Sequence, residues 1–492
     1  MRVKNDFFPL SLGYLAAVLK DANHQVRIYN ADIGPETPTF ERPWLDVQRI
    51  SGQDRYLQAL ADRSHPVWDE IRSVLKQQRP DMVGISIQSP ALPAATVVAR
   101  LAKEQLPDCV VVAGGPHPNA CPEEVMDDKN IDFAVRGEGE VTIVELAKAL
   151  EEGRSVGSIE GICYREGGRV IVNPLRPYIQ DLDAIPFPAK DLVLFPELYS
   201  AAHMGVIMGS RGCPYRCTFC DSHGIWGRKA RFRSVDNIIA EIRQIVNDFG
   251  CRRFRFVDDT FTLNRSRLLR FCRAIRATGL GLEWACSSRA DAIDANSSRI
   301  LRLSGCTAVL LGVESGSERI LRIMKKGVDL DRLRKAARLI RREGMQVVTT
   351  FLMGTPDETE EDLRQTIRLV RELEHDLVYV NTYVPYPGSE MHEQVKRMGL
   401  IENRPDWSRL SHASSLSWFA VNIPKERFAS LRQELFKAAY ERNTRLTLFN
   451  VRRWVRESLY LARHDPMGFF RRIAHTIRLR LHLLCSHFSH GS

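Results

Sequence analysis

Short apolar segments alternate with helical segments along most of this chain, which limits the folds it can adopt. In residues 1–150 helical patterns separate the predicted strands, which fall at residues 25–29, 82–87, 109–113 and 131–135. Strands separated by helices form parallel sheets with right-handed crossovers. The N-terminal part is therefore predicted to be an α/β domain with a Rossmann-like parallel sheet.

The alternation resumes with a longer spacing from residue 203. Six further strands are predicted at residues 206–209, 253–257, 283–287, 308–313, 347–353 and 378–384. Six strand–helix units predict a partial (β/α)6 barrel, in which ligands gather at the C-terminal ends of the strands. Residues 151–202 indicate a hairpin followed by a proline-rich linker. The predicted parts are thus 1–150, 151–202, a barrel at 203–425, and a basic helical region at 426–492.

The composition is that of a soluble globular protein, with 44% hydrophobic and 26% charged residues among 492. No run reaches the roughly 18 apolar residues of a spanning helix, and no secretory signal is visible, so a cytoplasmic location is expected. Residues 442–492 hold ten arginines and two acids, which is +8 of the net charge of +10. The main body is nearly neutral, and no nucleic acid partner is expected.

Three of the eleven cysteines lie within eight residues, at Cys213, Cys217 and Cys220, directly after the first barrel strand. Thiolates are the usual ligands of iron–sulfur clusters, and a four-iron cluster normally takes four of them. Three ligands would leave one iron open for catalysis. A zinc site completed by His223 is the alternative, although zinc ligands usually come as two separated pairs. The odd total without paired spacing argues against disulfides and indicates a reducing compartment.

The C-x3-C-x2-C motif, with the aromatic Phe219 before its last cysteine, resembles that of the radical S-adenosylmethionine superfamily. The resemblance covers about residues 203–425 and implies a [4Fe-4S] cluster on Cys213, Cys217 and Cys220. It also implies that the open iron chelates S-adenosylmethionine. Reductive cleavage would then give a 5′-deoxyadenosyl radical that abstracts hydrogen from the substrate. Phe219 would pack near the adenine.

Two further motifs follow the second and third barrel strands, where ligands bind in such folds. For Asp258 and Asp259 the resemblance implies a contact with the methionine amino group of S-adenosylmethionine. A helix cap and turn is the alternative for each acid. Arg289 can bind a carboxylate in bidentate fashion, with a surface ion pair as its alternative.

The fourth and fifth barrel strands end in motifs that also resemble the family. Glu314 and Ser315, followed by Gly316, would contact S-adenosylmethionine, through its ribose hydroxyls, and a plain turn is the alternative. Gly354 lies in a loop that resembles the family's glycine–proline loop on the adenine side. Residues 384–389 after the sixth strand resemble its closing Pro-Tyr-Pro-Gly-Thr motif, with Ser389 in place of Thr.

The N-terminal part resembles the cobalamin-binding domain found ahead of many such enzymes. Ser86 ends one predicted strand, and Gly114 and Gly115 end the next, where small residues suit a cofactor lying across a doubly wound sheet. Residues 30–34 lack the histidine that ligates cobalt in some cobalamin proteins, which this family tolerates. The family's first strand is also missing before residue 7. A degenerate sheet that only caps the barrel is therefore the alternative.

The resemblance implies a cobalamin-dependent C-methyltransferase that acts on an unactivated carbon. An anaerobic oxidative cyclase of the tetrapyrrole type, an iron–sulfur electron carrier and a nucleic-acid-modifying enzyme are the alternatives. The expected partners are a small, apolar substrate and an electron donor such as flavodoxin or ferredoxin. Residues 469–484 form a predicted basic amphipathic helix, for which peripheral membrane contact and packing on the barrel are both open.

Overall fold

The structure, a computed structural model, describes residues 7–33, 46–414, 417–449 and 462. Its strands are β1 (Met82–Ser86), β2 (Val110–Gly114), β3 (Phe133–Val135), β4 (Ile162–Glu166), β5 (Arg169–Val172), β6 (Val206–Ile207), β7 (Ser210–Arg211), β8 (Arg231–Phe232), β9 (Arg253–Phe256), β10 (Glu283–Ser288), β11 (Cys306–Glu314), β12 (Gln346–Met353) and β13 (Leu377–Thr382).

Its α-helices are α1 (Leu10–Asp21), α2 (Asp46–Ala61), α3 (Pro66–Gln78), α4 (Leu92–Gln105), α5 (Pro116–Ala120), α6 (Pro122–Met126), α7 (Gly139–Glu151), α8 (Ala201–Met204), α9 (Ser222–Trp226), α10 (Val235–Phe249), α11 (Arg265–Ala277), α12 (Ala295–Leu303), α13 (Glu318–Ile323), α14 (Leu330–Arg342), α15 (Glu360–Glu372), α16 (Glu390–Arg397) and α17 (Lys425–Phe449).

The first five strands form one sheet in the order β1-β2-β3-β4-β5. β1, β2 and β3 run parallel, as the alternation predicts. β4 and β5 are the predicted hairpin, and β4 joins β3 in antiparallel pairing. Gly167 and Gly168 in the hairpin turn have φ of 55° and 77°, the left-handed region that a tight two-residue turn requires. The sheet is therefore parallel only in part, because the hairpin extends it.

The strand predicted at residues 25–29 is wrong. Ile28 makes an isolated parallel bridge with Val193, and its N–H donates to the Leu192 carbonyl over 2.8 Å. Its side chain is 3% exposed and belongs to a core built mainly by the barrel. Burial against the barrel, rather than sheet pairing, thus determines its place. Among the described residues β1 pairs only with β2, and Gly84 and Ser86 on it are exposed.

The second sheet contains six parallel strands in the order β13-β12-β11-β10-β9-β6. All six strands predicted for the barrel are confirmed, and their helices lie between them in sequence. Local signals set the helix ends. The hydroxyl of Ser234 accepts a hydrogen bond from the Asn237 N–H (3.1 Å) at the start of α10, and Gly250, with φ of 65°, ends it.

A short two-stranded sheet lies beside the barrel. β7 pairs with β8 in antiparallel fashion, with Ser210 opposite Phe232 and Arg211 opposite Arg231. Residues 212–230 leave the sheet at β7 and return to it at β8, so both ends of this excursion are close in space. The three cysteines lie on it.

Two segments cross between the N-terminal sheet and the barrel. Phe8, Leu10 and Tyr14, at the start of the described chain, are buried in the core that the barrel builds. In return Trp407, after α16, is 3% exposed and packs in the core of the N-terminal sheet. Each core is therefore completed by a segment whose neighbours in sequence belong to the other part.

In the described part of the chain, no helix is long and apolar enough to cross a membrane. The predicted amphipathic helix at 469–484 lies outside the described residues. The last described helix, α17, packs on α15 and β13. Asn443 on α17 bonds both backbone polar groups of Val378 in β13, at 2.9 and 3.0 Å.

Candidate active site

The three cysteines lie on one loop between β7 and α9. Gly212 starts the loop with φ of 88°, and a Cβ there would lie 2.7 Å from the Lys229 carbonyl oxygen, so this position requires glycine. Cys213, Cys217 and Cys220 are half-buried and free of disulfides. The loop therefore presents three free thiols over a short stretch of chain, as the spacing predicts.

Later parts of the barrel hold the middle of this loop. The Thr218 N–H donates to the Met324 carbonyl over 3.0 Å, and the Met391 N–H donates to the Thr218 carbonyl over 2.8 Å. Met324 follows α13, and Met391 lies in the first turn of α16. The cysteines are thus positioned by the chain that follows β11 and β13.

Burial raises the pKa of the Cys220 thiol to about 12, and Asp221 and Asp259 raise it further against a backbone hydrogen bond at Ser222. Burial also raises the pKa of the Cys213 thiol, which lies near Asp259 and Thr260. Without a metal these thiols stay protonated at neutral pH. A bound iron cluster would supply the positive charge that keeps them as thiolate ligands.

A zinc ion on this loop would require closely spaced ligand atoms. Among the described residues, the one set of three ligand atoms that all lie within 4.8 Å of one another is on His117, Cys121 and Glu124. A tetrahedral zinc ion holds its sulfur ligands about 2.3 Å away, and therefore roughly 4 Å from one another. The sulfur atoms of Cys213, Cys217 and Cys220 do not all lie within 4.8 Å of one another.

The set of His117, Cys121 and Glu124 lies at the contact between the N-terminal sheet and the chain after α16. Glu124 accepts a hydrogen bond from the Trp407 indole N–H at 2.9 Å and lies 3.5 Å from Nε2 of His117. Nδ1 of His117 is 3.0 Å from the Ser89 hydroxyl. Contacts within the protein therefore account for the close approach of these three side chains, which helps to pack Trp407 against the N-terminal sheet.

Asp258 and Asp259 differ in what they contact. Asp258 is 3% exposed, and its carboxylate accepts hydrogen bonds from the Gly209 N–H (2.9 Å) and the Ser210 hydroxyl. It therefore anchors the chain that leads into the cysteine loop. Asp259 is exposed and accepts a bond from the Ser222 hydroxyl (2.5 Å). Of the two, Asp259 is the one placed to meet a ligand.

Arg289 packs against Tyr215 of the cysteine loop. Its guanidinium carbon lies 3.6 Å from the centre of the Tyr215 ring, and its Nη2 donates to the Lys326 carbonyl (2.6 Å) and to Asp291 (3.1 Å). Within the described part of the chain, its Nη1 is buried and has no hydrogen-bond partner. This unused donor fits a carboxylate ligand, such as that of S-adenosylmethionine.

Glu314 has φ of 69°, an uncommon conformation for a residue with a side chain. Its Oε1 accepts a hydrogen bond from Lys326 Nζ at 2.7 Å, and the pair is about one-tenth exposed. Ser315 is fully buried, with its hydroxyl 3.2 Å from that of Thr366. Glu314 thus faces the charged part of the site, whereas the Ser315 side chain is used inside the protein.

Phe219 and Gly354 are the last two site residues that the sequence predicts in the barrel. Phe219 packs at the edge of an apolar cluster around Leu352 and Tyr383, with Lys326 Nζ 5.9 Å from its ring centre. Gly354 has φ of 87°, and a Cβ there would lie 2.9 Å from the Phe428 ring. Its N–H donates to Glu358 at 2.6 Å.

In the N-terminal sheet the small residues make an open surface. Ser86 is exposed at the end of β1, opposite Gly114 in β2. The nearest atom to a Cβ built on Gly114 is 4.0 Å away, and Gly84 has no atom within that distance. Gly115 differs, because its φ is 107° and a Cβ would meet the Ile87 backbone at 3.0 Å. The surface at Gly84 and Gly114 is therefore open, whereas the position of Gly115 is closed by the Ile87 backbone.

The sequence did not reveal how the two parts meet. Glu138, in the loop after β3, contacts Arg211 at 2.8 Å and Arg231 at 2.7 Å, and Arg211 also pairs with Glu140. All four side chains are at most 8% exposed. The repeated Gly-Glu at residues 137–140 was visible as a strand-end loop, but its partners lie more than 70 positions away.

The fold and the site define a protein in which a barrel with a loop of three free cysteines is joined to an α/β domain with an open glycine surface. Two family models match the chain: the radical SAM superfamily over residues 207–370 and the B12-binding domain over residues 50–147. An uncharacterized methyltransferase of Pyrococcus horikoshii, PH0819, is 37% identical over 78% of this chain and 78% of its own length. The chain belongs to the cobalamin-dependent radical S-adenosylmethionine methyltransferases.

Other similar proteins agree with this assignment. Cytidylyl-2-hydroxyethylphosphonate methyltransferase of Streptomyces wedmorensis is 28% identical, over 85% of this chain and 82% of its own. The methyltransferase TsrM of Kitasatospora setae, solved with cobalamin and a [4Fe-4S] cluster, has the same fold, with a TM-score of 0.66 at 17% identity. That match covers 88% of this chain and 86% of TsrM.

The protein's cofactors are a [4Fe-4S] cluster, S-adenosylmethionine and cobalamin. The residues present fit each of them. The three thiols suit the cluster, the unused Nη1 of Arg289 suits a carboxylate, and the open glycine surface at the ends of β1 and β2 suits cobalamin. Which side chains contact S-adenosylmethionine and cobalamin stays a prediction.

Proposed function

We propose that this enzyme transfers a methyl group to an unactivated carbon of a small, apolar molecule. When bound, the cluster supplies the electron that cleaves S-adenosylmethionine, and cobalamin carries the methyl group. The observation that carries the proposal is the contact between the loop after β3 and the strands that flank the cysteine loop. Because of this contact, the loop that follows β3 lies beside the two strands that flank the three cysteines.

The protein's own residues would bind and orient. Cys213, Cys217 and Cys220 would hold the cluster, and Arg289 and Asp259 would orient S-adenosylmethionine beside it. The buried pair of Glu314 and Lys326 would give the site a fixed charge pattern with little access for water. The glycine surface of β1 and β2 would hold cobalamin without a histidine ligand.

An apolar substrate is supported by a further relative. The hopanoid C-3 methylase of Methylococcus capsulatus is 28% identical over 70% of this chain and 65% of its own length, and its name records methylation of a lipid carbon. Anaerobic magnesium-protoporphyrin IX monomethyl ester cyclases are related as well, at 29% identity over 66% of this chain for that of Rubrivivax gelatinosus. Methyl transfer is favoured because the relatives that cover more of both chains are methyltransferases.

Anaerobic reconstitution tests the proposal. The full chain would be incubated with methyl-deuterated S-adenosylmethionine, dithionite or reduced flavodoxin, and candidate apolar acceptors, with and without cobalamin. Cobalamin-dependent products that carry the deuterated methyl on carbon, together with 5′-deoxyadenosine, are expected. 5′-Deoxyadenosine with a product that has lost hydrogen and gained no methyl, whether or not cobalamin is present, would favour a cyclase instead.

The basic tail is the basis of a second, separate proposal, peripheral contact with anionic membrane through residues 469–484. Arg471, Arg472 and Arg478 lie in a segment where Ile473, Ile477 and Leu481 recur at helical spacing. Each arginine near an anionic surface adds about 1 kcal/mol of attraction. Flotation with anionic vesicles should retain the full chain and release a chain ending at Pro466. Equal recovery of both in solution would remove this proposal.

A further inference from the structure

One carboxylate from the N-terminal α/β domain binds the two strands that flank the excursion at residues 212–230, which contains the cysteine loop. Arg211 lies in β7, immediately before the loop, and Arg231 lies in β8, where the excursion ends. Glu138 bonds Arg211 through Oε1 at 2.8 Å and Arg231 through Oε2 at 2.7 Å. One side chain from the N-terminal α/β domain thus joins the two strands that flank residues 212–230.

The three charged side chains of this contact are buried, which strengthens the attraction between them. The side chains of Glu138, Arg211 and Arg231 are 3–4% exposed, so solvent screens their charges little. Burial lowers the pKa of Arg211, but Glu140 and Glu138 outweigh it and leave that pKa raised. A buried charge without its partner is strongly unfavourable, which holds each group in its pair.

A second contact from the same module reaches the middle of the excursion. Nδ2 of Asn119 donates to the Gly224 carbonyl in α9 at 2.8 Å. Its Oδ1 accepts from the Gly137 N–H at 2.9 Å, in the loop that carries Glu138. Gly224 lies four residues after Cys220. The loop after β3 is therefore connected to the chain on both sides of the cysteines.

The geometry points to a coupling between the two cofactor sites: Glu138 in the loop after β3, and Asn119 in α5, which binds that loop, position the iron cluster, and cobalamin binding in the N-terminal α/β domain strengthens these contacts. Gly137 and Glu138 follow β3 after Arg136, at the sheet edge where β1 and β2 also end. A cofactor that orders this edge therefore orders the loop that holds the cluster. Because binding free energies are reciprocal, the assembled cluster raises the affinity for cobalamin by the same factor. Glu138 and Asn119 are positioning residues.

The test measures iron retention rather than product, so it stands apart from the choice of substrate. The reconstituted full chain is exposed to an iron chelator under anaerobic conditions, with and without cobalamin. In the wild type cobalamin should slow iron loss. Glu138→Gln should lose iron about tenfold faster, as expected for groups that support metal ligands, and the protection by cobalamin should largely disappear. The reduced cluster's paramagnetic resonance spectrum with S-adenosylmethionine should also change.

Asn119→Ala provides an independent variant, because it removes two hydrogen bonds without exposing a buried charge. It should show the same changes to a smaller extent. Glu145→Gln, whose carboxylate pairs with Arg176 at the module surface, and Asn130→Ala, whose side chain bonds only Asp128 in the described structure, are the matched controls. Both should retain iron as the wild type does. Folded Glu138→Gln and Asn119→Ala chains with wild-type iron loss and wild-type protection by cobalamin would overturn the inference. If Glu138→Gln does not fold, Asn119→Ala alone decides it.

Discussion

At the scale of single residues, the cysteine loop combines a ligand set with an environment that suppresses thiolates. Burial raises the pKa of Cys213 and Cys220, so neither thiol is a ready anion without a metal. Cys121, by comparison, is also half-buried, and burial raises its pKa to about 11. What distinguishes the loop is that three free, half-buried cysteines lie close together in sequence, after the first barrel strand.

Replacement of any one loop cysteine should abolish cluster assembly. Cys213→Ala, Cys217→Ala and Cys220→Ala each leave two ligands, and a three-ligand site has none to spare. Iron and sulfide analysis after anaerobic reconstitution would measure the loss. Cys121→Ala is the matched control and should retain a full cluster. A triple variant of the loop that still assembles a full cluster would contradict the assignment.

Glu358 makes stability depend on pH. Burial raises the pKa of its carboxyl from 4.5 to about 8, while a hydrogen bond from the Gly354 N–H opposes the shift. The folded state binds this proton more tightly than the unfolded state does. Protonation of Glu358 therefore stabilises the fold, and this contribution is fully present below pH 4.5. As the pH rises through 8, the carboxyl of Glu358 loses its proton, and the folded state loses a few kcal/mol of stability.

The pH dependence of the melting temperature is expected between the two pKa values of Glu358, 4.5 and about 8. Glu358→Gln should therefore flatten this dependence. The variant should be more stable than the wild type at the upper end of that range. Glu372→Gln, an exposed glutamate at the end of α15, should follow the wild type. Parallel curves for Glu358→Gln and the wild type would show that the carboxyl is ionised throughout.

At the scale of elements, the ends of β1 and β2 depend on three glycines with different constraints. Gly114 and Gly84 have open space where a Cβ would lie, whereas Gly115 needs its positive φ and touches the Ile87 backbone. The first two are therefore free for a ligand, and the third maintains the turn into α5.

Gly114→Val should weaken cobalamin binding while leaving the fold intact. The added side chain would project into the surface where the cofactor is expected, and a poor fit that costs about 1–3 kcal/mol lowers the affinity roughly 5- to 150-fold. Titration followed by absorbance of bound cobalamin would measure it. Gly84→Val adds the same volume two residues before the end of β1 and should bind better than Gly114→Val. Equal affinity of Gly114→Val and the wild type would place the cofactor elsewhere.

At the scale of the whole molecule, the two parts complete each other's cores. The chain around Phe8 and Tyr14 is buried with the barrel, and Trp407 is buried with the N-terminal sheet. The buried charges of Glu138, Arg211 and Arg231 lie at the same junction. The two parts are therefore expected to unfold together rather than as separate domains.

Trp407→Ala should destabilise both parts in one transition. It removes a large buried side chain and the hydrogen bond to Glu124, a loss of about 3–5 kcal/mol. Melting followed by circular dichroism and by cobalamin release should shift together. Trp418→Ala, whose half-buried indole bonds the Ile423 carbonyl within the barrel part, is the control for loss of a tryptophan. Two separate transitions in the Trp407 variant, with the barrel unaffected, would contradict shared cores.

Periodicity and local motifs were enough to predict the six barrel strands and the β4–β5 hairpin, whereas the role of the three loop cysteines as cluster ligands stays a prediction. The six barrel strands and the cysteine loop follow from apolar runs, caps and spacing, which act over a few residues. Tertiary structure decided the rest. Ile28 is buried against the barrel rather than paired in a sheet, and Asp258 is used to anchor Gly209. Glu138 reaches Arg211 across 73 positions. Such contacts depend on which surfaces meet after folding, because a charge or an apolar side chain finds its partner by proximity in space and not in sequence.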